Sequence, residues 1–218
     1  MSDSREQVLA DIRAALNREG PLPDSIARPL QGRLSRPRPN IKPAIGADPV
    51  AHFIDKLQSV SGKLTRVSNI DKVADVVAEH LRGYDLGDAI VVAPDPSLEG
   101  IPWSNRLSVE RRAGVGTDRV TVTGAYAAVA ETGSVVLLSS AESPTTLNFL
   151  PDDHLVVVRE SQIVAHIEDV WTRMRNDKRA MPRTVNFITG PSKTADIEQT
   201  IQEGAHGPRR LHVILVAE

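Results

Sequence analysis

A mostly parallel α/β sheet flanked by helices is the fold class that this sequence predicts, on three observations. Short apolar runs recur at 89–93, 120–123, 134–139, 154–158, 184–189 and 211–217. Helical patterns intervene at least at 162–177 and 192–203. Aromatic residues make up only 3% of the chain, so the core has to be aliphatic. Continuous apolar strands alternating with helices are what a sheet buried on both faces requires.

The elements before the first run extend this reading. Val8, Leu9, Ile12, Ala15 and Leu16 form one stripe of an amphipathic helix over 4–17, with Ser4 and Gln7 at capping-box spacing. Gly20 and Pro21 end it. Residues 21–46 carry six prolines and five basic residues, Arg28, Arg33, Arg36, Arg38 and Lys42. Such a segment is expected to be an extended connector or wrapping arm. The division is thus an N-terminal helix and proline-rich arm over 1–46 and an α/β domain over 47–218. In that domain Val50, Phe53, Ile54 and Leu57 give one helix stripe. Ile70, Val73, Val77 and Leu81 give another, after Asn69 as a cap.

Composition narrows the chemistry. A formal net charge of −2 gives no global reason to expect nucleic acid or acidic lipid as a partner. Cysteine is absent, which excludes disulfides, thiolate zinc sites, a cysteine nucleophile and any iron–sulfur cluster ligated by this chain alone. The charged N-terminus lacks an apolar signal core and no run approaches a membrane span, so a cytoplasmic protein is expected. "GVGTDRVTVTG" lacks the third glycine of a dinucleotide fingerprint.

Three stretches could carry chemistry. In "ITGPSKTADIEQ" a strand is expected to turn at Gly190 and enter a helix through Ser192, Lys193, Thr194 and Asp196. A helix N-terminus binds anions, and a bound phosphate or carboxylate would offset the unfavourable sign of Lys193 there. The plain alternative is that Ser192 caps the helix and Lys193 pairs with Asp196. In "AETGSVVLLSS" a turn holds Glu131, Thr132, Gly133 and Ser134, where a desolvated glutamate could act as nucleophile or base. It could equally be a solvated residue beside a turn glycine. In "HGPRRLHVIL", His206 and Gly207 precede a Gly-Pro turn, and His206 could move a proton near neutral pH. His212, inside the apolar strand, reads as a packed residue. Asp152, Asp153 and His154 are adjacent on an extended segment and point to alternate faces, so no metal site is expected there.

Together, "GAYAAVAETGSVVLLSS", "LPDDHLVVV" and "ITGPSKTADIEQTIQEGAHGPRRLHVILV" closely resemble the lactate utilization protein C family, or LUD-domain family, over roughly residues 90–218. The resemblance implies a fold similar to the NagB/RpiA/CoA-transferase superfamily. It also implies a part in oxidising L-lactate to pyruvate, alongside partner proteins that carry iron–sulfur clusters, with no cofactor bound by this chain alone. On this reading Glu131 and His206 handle protons. Thr132, Gly133, Ser134, Gly190, Ser192, Lys193, Thr194, Asp196 and Gly207 hold a small anionic ligand. Two alternatives stay open. One is a stand-alone transferase or isomerase acting on a CoA, sugar-phosphate or folate-type ligand with Glu131 as nucleophile or base. The other is a non-catalytic assembly module.

Overall fold

The computed structural model describes residues 2–18, 20–35, 41–103, 105–178, 180–194, 202–204 and 206–217. It divides into two units, 1–42 and 43–218. The first contains α1 (Ser2–Ala15) and α2 (Asp24–Ser35). Ser4 lies inside α1 rather than at its cap, and Gln7 bonds forward to Asp11 at 3.0 Å.

The helix α2 corrects the expectation of an extended arm. Pro29 costs it one internal hydrogen bond. Pro23 opens it instead, its carbonyl accepting from the N–H groups of Ile26 and Ala27. Asp24 and Arg28 pair at 2.8 Å one turn apart. Pro21 and Pro23 thus precede the helix and Pro29 sits within it at the cost of one bond, without excluding a helix.

The second unit runs α3 (Pro49–Ser59), β1 (Lys63–Val67), α4 (Val73–Gly83), β2 (Ala89–Val92), β3 (Ser108–Arg111), β4 (Val120–Gly124), β5 (Ala127–Val129) and β6 (Ser134–Leu138). It continues with α5 (Thr146–Phe149), β7 (Asp153–Arg159), β8 (Ile163–Val164), α6 (Ile167–Asn176), β9 (Val185–Ile188), β10 (Lys193–Thr194), β11 (Gln202–Glu203) and β12 (Arg210–Val216). Six strands form one parallel sheet in the order β1-β12-β7-β4-β2-β3. A second sheet, β8-β5-β6-β9, is mostly antiparallel.

Four layers result. The helix α4 covers one face of the large sheet, with Val73, Val77 and Leu81 against Leu155, Val157, Ile214 and Val216. Phe53 and Leu57 of α3, together with Ala128, Val135 and Leu137 of the small sheet, cover the other face. The helix α6 closes the far side of the small sheet through Val170 and Met174. The runs 134–139 and 184–189 thus leave the parallel sheet for the antiparallel one. Both faces of β6 are buried, and a strand buried on both faces reads as one apolar run whatever the direction of its neighbours. Asn69 precedes a short 3-10 turn over Ile70–Lys72, and its side chain makes no capping bond. No helix among the described residues is long and apolar enough to cross a membrane.

The expected helix at 192–203 is corrected at both of its described ends. Lys193 and Thr194 form β10, which pairs antiparallel with Glu203 and Gln202 of β11. The backbone around the turn is committed elsewhere: Ser192 N–H donates to Pro208 O, and Gly204 N–H donates to Ser192 O, both at 2.9 Å. With those groups engaged, no helix opens at Ser192. Residues 195–201, Asp196 among them, lie outside the described residues.

Candidate functional site

The turn before β6 and the turn after β9 stand at the same end of the small sheet. Val135 lies opposite Ile188, so the next residues outward, Ser134 and Thr189, face each other. Their hydroxyls are 2.5 Å apart, and Thr132 Oγ1 adds a third member at 2.7 Å from Ser134 Oγ. Ser134 is buried, so this hydroxyl chain is satisfied inside the protein.

The two glycines of these turns adopt positive φ, +69° at Gly133 and +83° at Gly190. Both abut α3. A Cβ at Gly133 would strike the backbone of Lys56 and Leu57, and one at Gly190 would stand 2.5 Å from Val60 O. Close packing and left-handed backbone, rather than open space, account for glycine at these positions.

Glu131 points away from that chain. Its carboxylate stands 3.1 Å from His166 Nδ1, and its N–H donates to Ala165 O. The pair is largely enclosed, with side chains 13% exposed for His166 and 19% for Glu131. His166 is held at the mouth of α6, where its own N–H donates to Asp169 Oδ2 at 3.0 Å. An enclosed carboxylate–imidazole pair is suited to passing a proton. His206 is exposed. Gly207 lies against Ser192, whose Cβ would be 3.3 Å from an added Cβ. The structure therefore gathers Thr132 and Ser134 with Thr189, Glu131 with His166, and Ser192 with Gly207. Thr194 stands beside Lys193 in β10.

Lys193 leads to a feature the sequence did not disclose. Its Nζ donates to Ser61 Oγ at 2.8 Å, across 132 residues of chain. Ser61 sits at φ +71° in the turn that joins α3 to β1. Beside it opens a cleft of about 120 Å³ at the amino ends of β1 and β12. Lys63, Tyr84 and Arg210 form its sides, Pro191 and Arg209 border it, and the buried rings of His80 and His212 form its floor. Two cations face the ring of Tyr84, Arg210 at 4.4 Å and Lys63 at 5.6 Å from its centroid. Arg209 pairs loosely with Asp152, 3.4 Å away.

Below this floor runs a buried polar chain. Arg210 and Asp153 are paired residues of adjacent strands, and two guanidinium N–H groups reach the carboxylate at 2.5 and 2.6 Å. His80 Nε2 donates to the same carboxylate at 2.8 Å. His80 Nδ1 meets His212 Nδ1 at 3.0 Å, and His212 Nε2 meets Thr65 Oγ1 at 2.9 Å. Burial alone would raise the Asp153 pKa, but the bonds from His80 and Arg210 outweigh it and hold the carboxyl below its ordinary value. Burial pushes His212 down to about 3, helped by His80 and Lys63 and opposed by Asp153. A neutral His212 has one ring N–H. It gives that proton either to His80 or to Thr65. His154 points to the opposite face, as strand alternation requires. It bonds Thr123 Oγ1 at 2.8 Å, leaves Nδ1 unpartnered, and is pushed down to about 3 by burial. No cluster of three or more metal-ligating side chains occurs among the described residues.

His80 escaped the sequence reading, and Asp153 entered it only as a rejected metal ligand, although one signal for the pair was present. His80 lies on the apolar stripe of α4 with Val73 and Val77, where a polar ring needs a buried partner.

The LUD domain family model matches residues 50–216 of this chain. An uncharacterized protein of Neisseria meningitidis, NMB1437, is 37% identical over 122 residues, and the chain spans about half its length (52%), using 56% of its own. The uncharacterized protein YkgG of Escherichia coli is 27% identical over 99% of both chains. The lactate utilization protein C of Anoxybacillus flavithermus is 30% identical over 68% of this chain and 70% of that protein. Among solved structures, a DUF162 family protein from Deinococcus radiodurans superposes with a TM-score of 0.56 at 25% identity, covering 80% of this chain and 99% of that one.

Proposed function

Since this chain belongs to the LUD-domain family, we propose that it is an accessory component of a system that oxidises L-lactate to pyruvate and that it binds a small anionic ligand. Relatives that carry the name lactate utilization protein C support the first half of this reading. The observation that carries the second half is the cationic cleft, where Lys63, Arg209 and Arg210 surround one small volume beside the Pro191 turn. Cations gathered around one small cleft attract an anion more strongly than the same charges dispersed in water.

Electrons from lactate pass, on this reading, to iron–sulfur partner proteins, because a chain without cysteine has no thiolate to ligate a cluster. The purified chain is therefore expected to show no iron or flavin absorbance and no oxidation of L-lactate with an artificial acceptor. Activity should appear on adding the cluster-bearing proteins that co-purify from lactate-grown cells. Oxidation by the isolated chain would overturn the accessory role and favour a stand-alone enzyme.

Glu131, paired with His166, is the proton-handling group of this proposal. Glu131→Gln keeps the shape and removes the base. It is expected to lower lactate-dependent turnover of the reconstituted system about 100-fold, the scale of general acid–base catalysis, while the thermal midpoint changes little. Undiminished turnover in that variant would reduce this chain to a binding or assembly role.

A further inference from the structure

We infer that the cleft at Ser61, Lys63, Tyr84 and Arg210 takes a phosphoryl dianion, free or as the monoester of a small organic molecule, in preference to a hydroxy-carboxylate such as lactate. The inference rests on the reading of this cleft as the anion site and names the class of anion.

The donors around the cleft decide the class. Arg210 has five N–H groups and gives two of them to Asp153, so three remain. Lys63 has no carboxylate partner among the described residues, and its ammonium is held beside the Tyr84 ring. Ser61 Oγ already accepts from Lys193, which leaves its own hydrogen to donate. The acceptors within reach are engaged: Asp153 receives three bonds, and each nitrogen of His212 has its partner.

A lining of this kind offers donors from several directions and no free carboxylate. A phosphoryl dianion brings a second negative charge and three acceptor oxygens, so it meets more of the lining than a carboxylate does. Lactate brings a planar carboxylate with two oxygens and a hydroxyl donor beside it. Its single charge and two planar oxygens meet fewer of the donors, while its hydroxyl turns to solvent at the open side of the cleft, where Ser61, Lys63 and Arg209 are exposed. Lys63, as a compact point charge, also suits a phosphoryl group without requiring the planar fork that Arg–carboxylate pairing uses. Arg210 is held from behind by Asp153, so its free donors are in place before a ligand arrives.

Calorimetric titration of the full chain tests this at constant ionic strength, since exposed cations are screened by salt. The probes are inorganic phosphate, glycerol 3-phosphate and L-lactate. The expected result is that at least one phosphoryl probe binds ten-fold or more tightly than L-lactate. Lys63→Gln should weaken it by at least ten-fold, and Lys72→Gln, on the far side of β1 in sequence and paired with Asp75 at the surface, should not change it. The thermal midpoint of Lys63→Gln checks that the fold is retained. Tighter binding of glycerol 3-phosphate than of phosphate would identify an ester as the ligand, and the reverse order the free ion; either supports the phosphoryl class. L-lactate binding as tightly as phosphate, with the same loss in Lys63→Gln, would overturn the phosphoryl class and leave the anion site standing. No binding of any probe, or binding indifferent to Lys63→Gln, would overturn both.

Discussion

Lowering the pH from 8 to 4.5 is expected to remove roughly 5 kcal/mol of folding stability, a large share of what a domain of this size possesses. The cause is two buried histidines. His154 and His212 are each pushed from the ordinary 6.5 down to about 3, His154 by burial and His212 by burial together with His80 and Lys63 nearby. Between those values the unfolded chain binds a proton at each ring and the folded chain does not. Their contribution is therefore complete above about pH 6.5 and is lost as pH falls toward 3, at about 3 kcal/mol per ring by pH 4.5. Asp153 acts with the same sign. Its carboxyl is held below the ordinary 3.8, so its share is present above that value and disappears on further acidification. Urea unfolding at pH 8, 6 and 4.5 measures the effect. His154→Leu should cut the slope about in half, because one of the two rings no longer takes up a proton. A free energy of unfolding that stays flat from pH 8 to 4.5 would refute this account of the buried rings.

Asparagine in place of Asp153 is expected to cost about 3–5 kcal/mol, the range for a buried ion pair that loses one partner. The carboxylate is fully buried and accepts from His80 and from two N–H groups of Arg210. Asparagine keeps the volume but turns one acceptor oxygen into a donor, which then confronts either a guanidinium or an imidazole N–H. Arg210 also loses its anchor over Tyr84, so the cleft loses a positioned cation. Urea denaturation of the variant, with Arg210→Met and the double variant completing a thermodynamic cycle, isolates the pair. A loss below 1 kcal/mol would show that water or a neighbouring group replaces the carboxylate.

The turns that the sequence marked and the site that the structure built differ for a physical reason. Glu131, Thr132, Gly133, Ser134 and Gly190 were legible because their signals are local: polar and glycine residues at the ends of apolar runs. What those glycines do was not legible, because the backbone of α3 that presses on Gly133 and Gly190 comes from residues 56–60. Glu131 was recognised as a possible base, whereas its partner His166 lies 35 positions away. Lys193 was singled out for its charge, and its observed contact, Ser61, is 132 positions distant.

The sequence by itself determined the alternation of apolar runs and amphipathic helices, and with it a parallel sheet buried on both faces. It also determined the absence of thiolate chemistry and the opposite facing of Asp153 and His154. These follow from side-chain periodicity and residue chemistry, which need no knowledge of distant contacts. Tertiary structure alone decided that β6 and β9 join a second, antiparallel sheet, since the apolar runs of a buried strand such as β6 and a half-buried one such as β9 carry no mark of their neighbours' direction. It alone decided that Lys193 enters a two-stranded ribbon, because the hydrogen bonds linking Ser192 with Gly204 and Pro208 outbid the local helical pattern at that turn. And it alone assembled the cleft, where His80 meets Asp153 across 73 residues and His212 across 132, distances over which no local pattern can specify a pairing.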